Sequence, residues 1–172
     1  MKHRDIQPAH EKSVLDSFGG YLLAQGINLT VIDRPDPPDA IVNLDGKRSW
    51  IEITDAFQSA DWAKSITSYA AEDKTHVSYK RGLITEPDQQ ACSQVKEVIL
   101  KKYRKGTMKQ LMQSYGQGIL LVGSYTPLTM PEEIIDQAGV SINTELSQES
   151  SIFSSIYLYR NSESGHVFSQ LL

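Results

Sequence analysis

Two short apolar runs meet at Asp45-Gly46, and that dipeptide constrains the fold more than any other feature of the chain. A type I′ hairpin turn needs positive φ at both central residues, a conformation Asp-Gly adopts readily. With these two as the loop, opposed positions sum to 91, so Leu44 faces Lys47, Ile41 faces Trp50 and Asp39 faces Glu52. Opposed residues share one face of the ladder, with Cβ atoms about 4.5–5.5 Å apart. Two carboxylates so placed repel each other, and selection for stability alone would rarely set them there. A divalent cation between them turns the repulsion into a site. On the second strand Trp50, Glu52 and Thr54 share one face and Ile51 and Ile53 the other. A carboxylate inside that apolar run is costly to bury unless it is paired or coordinated.

The flanking pattern extends the hairpin into a layered fold. Val14, Leu15, Phe18, Tyr21 and Leu22 predict a helix from about Pro8 to Gln25, with Pro8 in its first turn. Glu11 lies on the apolar stripe of that helix. It serves either as a first-turn carboxylate favoured by the helix dipole or as an inward-facing acid. Ile27 to Asp33 alternates as a strand, and Pro35, Pro37 and Pro38 predict an extended approach to Asp39. A helix is expected over 60–71, and 76–83 reads as either an edge segment or a loop. Thr85 to Asp88 leads into a helix over 89–105, which Gly106 closes before helical 108–115. Ile119 to Tyr125 is glycine-bounded and apolar enough for a buried strand. The spacing of Thr129 and Glu132 predicts a helix start, with an end at Gly139, and two strands over 155–160 and 166–171 close the chain. The order α–β–β–β–α–α–β–α–β–β implies an α/β fold with a mixed central sheet flanked by helices. A single domain over 1–172 is expected, with a core at about 8–125 and a C-terminal helix and strand pair at 129–172.

Composition removes several function classes. No apolar run is long enough to span a bilayer, and the polar segment from Met1 to Lys12 does not read as a signal peptide. A lone cysteine, Cys92, excludes an internal disulfide and suits a reducing, cytoplasmic setting; it lies near the start of an expected helix with no metal-ligand spacing around it and reads as inert. The net charge of −4 argues against a general nucleic-acid coat protein. Yet Val95 to Lys109 holds Lys96, Lys101, Lys102, Arg104, Lys105 and Lys109 against one acid, Glu97. Such a helix is either a solvated face or a phosphate-tracking patch. Val95, Val98 and Ile99 form its apolar side, which Lys102 continues seven residues after Val95. Lys102 either snorkels past the core or aims its charge at a polar site. The four histidines show no metal spacing, and no phosphate-binding glycine loop or nucleophile elbow is present.

An acid on a helix, an acid at a strand start and an acid on the paired strand are hard oxygen donors suited to Mg²⁺ or Mn²⁺, and the Ile53 carbonyl is a natural fourth donor. A cation so held acidifies a bound water and clamps a phosphoryl oxygen, as phosphodiester hydrolysis requires. With Pro38-Asp39, a strand, a turn and then Glu52-Ile53-Thr54, the hairpin resembles the core of the PD-(D/E)XK nuclease superfamily. The resemblance runs from about Glu11 to Tyr125 and implies a restriction-endonuclease-like αβββαβ core. It also implies a Mg- or Mn-dependent nuclease acting on nucleic acid, DNA foremost, with no membrane partner and a homodimer as one arrangement if duplexes are cut. Asp39, Glu52 and a lysine would be catalytic, and Glu11, Asp39, Glu52 and the Ile53 carbonyl would hold the metal. Lys101, Arg104 and Lys105 would contact nucleic acid. Thr54 stands where the family signature carries its lysine. In this superfamily that lysine is known to migrate to a nearby helix, which makes Lys102 the first choice and Lys64 the alternative. Two other readings stay open. One is a degenerate nuclease-like domain that binds nucleic acid or a protein without cleaving. The other is purely structural, with Asp39 capping the strand start and Glu52 paired with Arg48 or a lysine.

Overall fold

The Asp45-Gly46 turn forms as its dipeptide requires, with φ of 48° and 87°. The computed structural model describes residues 3–57, 60–71, 73–77, 86–126 and 128–172. In chain order the elements are α1 (His3–Leu23), β1 (Leu29–Asp33), β2 (Ala40–Leu44), β3 (Lys47–Phe57), α2 (Ala60–Ala70) and α3 (Pro87–Arg104). Then come α4 (Gly106–Tyr115), β4 (Gly118–Tyr125), α5 (Pro131–Leu146), β5 (Phe153–Ser162) and β6 (Gly165–Gln170). The hairpin register is the expected one: Leu44 opposes Lys47, Ile41 opposes Trp50, and the ladder ends at Ala40 opposite Ile51. Asp39 therefore stands one position past the last pair, beside Glu52.

Among the described residues six strands form one mixed sheet in the order β1-β2-β3-β4-β5-β6. β4 pairs parallel with both β3 and β5, and the remaining pairs are antiparallel. Helices make the two parallel crossovers, as the α/β class requires. Strand alternation sorts the core into two layers. Ile51, Ile53, Leu121 and Tyr159 pack with Val14, Leu15 and Phe18 of α1. Trp50, Leu120, Val122 and Leu158 pack on the opposite face with Val95 and Ile99 of α3 and Ile134 and Ile142 of α5. Glu52 belongs to this second face. Trp50 is completely buried, and its indole N–H donates to the Gly116 carbonyl at 2.8 Å. A Cβ on Gly118 would lie 2.4 Å from that indole, so the start of β4 requires a glycine.

Several boundaries differ from expectation. α1 begins by His3 and ends at Leu23, so Pro8 lies inside the helix rather than in its first turn. Lys105 is extended (φ −72°, ψ 124°), and Gly106 opens α4 instead of closing the preceding helix. α5 continues through Gly139 to Leu146, because buried Ile134, Ala138, Ile142 and Leu146 outweigh the roughly 1 kcal/mol helix penalty of one glycine. Its first turn is capped by Glu133, which accepts the Met130 N–H at 2.7 Å, while Thr129 donates instead to Asp88 at 2.8 Å. The approach to Asp39 bends rather than extends, with cis peptide bonds at Asp36-Pro37 and Pro37-Pro38. His76 and Val77 carry no regular structure, while 78–83 and Thr85 lie outside the described residues. Among the described residues no helix is long and apolar enough to cross a membrane.

Candidate functional site

Three charged groups far apart in sequence converge where β2 ends. Glu52 points from the middle of β3 into the α3 layer and is 3% exposed. The apolar face of α3 lays Val95 and Ile99 on the sheet, and Lys102, one turn further on, reaches Glu52. Its Nζ donates to Glu52 Oε1 at 2.6 Å, with 18% of the lysine side chain exposed. Glu52 Oε2 is buried and has no hydrogen-bond partner among the described residues. Asp39 is half-buried, and its Oδ2 accepts the Ile53 N–H at 2.6 Å. The N–H and C=O of one strand residue leave the same edge, so the Ile53 carbonyl also faces the side where β2 has ended.

Burial, followed by the nearby Glu52 charge, pushes the Asp39 carboxyl up to about 7, although the Ile53 amide opposes the shift. An acid at that value sits between roles, ionised or protonated near neutral pH. Such perturbation in a cleft is characteristic of functional sites. A structural reading accounts for the Asp39 amide contact and the Glu52 ion pair one at a time. It does not account for a carboxyl that burial and a neighbouring acid both push upward, nor for an unpartnered buried oxygen on Glu52. A well-packed apolar pair would fill the same space at no such penalty.

The other candidates occupy varied positions. Glu11 faces the same region and contributes to the Asp39 shift. Both of its oxygens are engaged, however: Arg34 Nη2 donates to Oε2 and Gln7 Nε2 to Oε1, each at 2.8 Å. Lys64 is exposed on α2, 3.8 Å from Asp61 of the same helix. Lys101 and Lys105 are exposed at the end of α3, whereas Arg104 donates to Glu149 at 2.9 Å. Lys96 forms an ion pair with Glu145, so part of the basic helix is neutralised by acids of α5 and just beyond it. Arg48 lies over the Tyr115 ring at 5.2 Å. Thr54 is half-buried two residues beyond Glu52. Among the described residues no group of three or more His, Cys, Asp or Glu is arranged to hold a metal ion.

Sequence reading missed Arg34 and a second polar cluster on the α1 face of the sheet. His10 Nε2 lies 3.3 Å from Asp55 Oδ2 and 3.1 Å from the Tyr159 hydroxyl, which donates to Asp55 Oδ1 at 2.6 Å. Ser17 Oγ lies 3.1 Å from His166 Nδ1, and the His10 and His166 rings are 6.0 Å apart. The only signal in the chain is that Asp55 shares strand parity with Ile51 and Ile53, which marks it as an acid facing α1. Hydrogen bonding to Asp55 raises the His10 pKa, while burial lowers that of His166. Histidine titration followed by NMR should therefore give two midpoints on opposite sides of about 6.5. Coincident midpoints would mean that the Asp55 contact is not formed in solution.

Comparison of the chain with protein-family models, with curated proteins and with solved structures finds no match in any of the three.

Proposed function

We propose that this protein is a Mg- or Mn-dependent nuclease with a restriction-endonuclease-like core made of α1, β1, β2, β3, α3 and β4. The observation that carries this reading is the buried Lys102–Glu52 pair beside Asp39, three groups with the charges that phosphodiester hydrolysis uses. Lys102 stands in for the lysine that Thr54 cannot supply.

The donor set suits a hard cation. Magnesium binds through one or two carboxylates, keeps several waters and takes substrate phosphate as a further ligand. Asp39, the unpartnered oxygen of Glu52 and the Ile53 carbonyl would hold it, with Glu11 able to join if released by Arg34. When bound, such an ion polarises the phosphoryl oxygen and acidifies a coordinated water. Lys102 offers three N–H donors, of which Glu52 takes one. The others can orient the attacking water and meet the negative charge that develops on the phosphoryl oxygens. Lys101 and Lys105, with Arg104 behind them, extend positive charge along α3 where the backbone of a DNA strand would run.

The test is a cleavage assay on single- and double-stranded DNA and RNA with Mg²⁺ or Mn²⁺. Glu52→Gln is expected to reduce the rate by about 100-fold or more, the usual effect of removing a preorganised charge at such a site. Equal cleavage by wild type and Glu52→Gln would sink the enzyme reading. The engagement of both Glu11 oxygens favours a second reading, a nuclease-like domain that binds nucleic acid or a protein without cutting. Nucleic-acid binding without cleavage by the wild type would select it.

A further inference from the structure

A cleft of about 360 Å³ opens between α1 and the segment joining β1 to β2, lined among others by Glu11, Arg34, Asp36 and Asp39. Three of these are acids and one is a cation. Arg34 reaches across from the end of β1 to α1, placing both terminal nitrogens 3.3 Å from the Pro8 carbonyl and Nη2 2.8 Å from Glu11 Oε2. The guanidinium keeps nearly a third of its side chain exposed, while Glu11 keeps 15%. The cation thus stands at the accessible side of the pair.

A guanidinium has five N–H donors in a planar fork that matches a phosphate as well as a carboxylate. Here the fork is divided between a neutral carbonyl at a long 3.3 Å and one oxygen of Glu11. A phosphodiester brings two anionic oxygens to the same donors. We propose that Arg34 is a phosphate-binding residue, which holds one phosphodiester of the bound strand at the mouth of the cleft and gives up Glu11 in exchange. This rests on the nuclease reading and adds to it an anchor on the α1 side, opposite the lysines of α3. It also assigns the free protein a partly neutralised cleft, in which Arg34 offsets Glu11 until substrate arrives.

The experiment is binding of fluorescent single- and double-stranded DNA and RNA oligonucleotides in calcium, across a salt series, for wild type, Arg34→Gln and Arg34→Lys. Arg34→Gln is expected to weaken binding roughly tenfold and to lower the slope of log affinity against log salt by about one. Arg34→Lys keeps the charge without the fork, so it should restore the slope while recovering only part of the affinity. A purely structural strut predicts a lower melting temperature for Arg34→Gln with an unchanged salt slope, and that result overturns the assignment. If Arg34→Gln does not fold, Arg34→Lys binding indistinguishable from wild type in affinity overturns it equally. A wild type that binds none of these DNA and RNA oligonucleotides removes the nuclease reading itself, whereas binding with an unaltered slope in Arg34→Gln removes this inference alone.

Discussion

Lys102→Met is expected to destabilise the protein by about 3 kcal/mol at neutral pH, because it leaves a buried carboxylate without its partner. Glu52 is 4% exposed by side chain, Lys102 takes one of its oxygens, and the other is already unsatisfied. Removing the ammonium strips the only ion pair this carboxylate makes among the described residues. The reverse change should be milder. Glu52→Gln leaves a lysine with 18% of its side chain exposed, and a four-carbon stem can carry the charge to water. Replacing both groups, as in Lys102→Met with Glu52→Leu, should return stability to near the wild-type level or above it. Denaturant midpoints at constant m-value would measure all three. A Lys102→Met midpoint equal to that of wild type would show that the pair contributes nothing. The activity loss should not follow the same pattern, since the double variant recovers stability and no catalysis.

Asp39→Asn should act in the opposite direction. The folded-state pKa of Asp39 is raised to about 7, against an ordinary value of 3.8 that the unfolded chain retains. Between those limits the native state holds a proton that the unfolded state has released. Stability therefore falls as pH rises through this window, and above about 7 the ionised carboxylate carries its full penalty. Asparagine keeps an oxygen for the Ile53 amide and removes the charge. The variant should be more stable than wild type by about 2 kcal/mol at pH 8, with the gain vanishing near pH 4. Thermal melts across that range decide the matter, and an equal difference at both ends would rule out titration of Asp39 as its source. Added Mg²⁺ or Mn²⁺ should stabilise wild type more than Asp39→Asn at pH 8, since only the former offers two carboxylates. A site that loses stability to keep two acids together is the usual signature of function placed above stability.

The parts legible in the chain are those that local chemistry decides. Asp45-Gly46 sets the turn, and a period of two then dictates that Ala40 opposes Ile51, leaving Asp39 just past the last pair, and that Trp50 and Ile51 part to opposite layers. A period of 3.6 brought Lys102 into line with Val95 and Ile99, and the helix delivers it to Glu52. The partners of Glu11 were not legible. Arg34 is 23 residues away, and nothing in local spacing says that the residue just past the end of β1 comes within reach of α1. The His10 cluster was hidden for the same reason, since it joins α1, β3 and β5 across 149 residues. Gly139 misled because helix propensity is a weak local term that a buried stripe on both sides overrides. Pro8 likewise read as a start, although only a preceding turn, invisible to apolar periodicity, distinguishes a start from an interior.

The seat of Trp50 also sets the order in which the chain can complete itself. Its indole N–H finds its acceptor at Gly116, and its ring is covered by Gly118, 68 residues downstream. A chain cut short before residue 116 would hold a hairpin with a bare tryptophan, an orphaned indole donor and an open β3 edge. Such an edge invites pairing with other chains. During synthesis that interval lasts until β4 pairs with β3, a contact of high sequence separation and correspondingly slow to form. The stretch that shapes the acidic site is thus also the one that most needs shelter before the protein is whole.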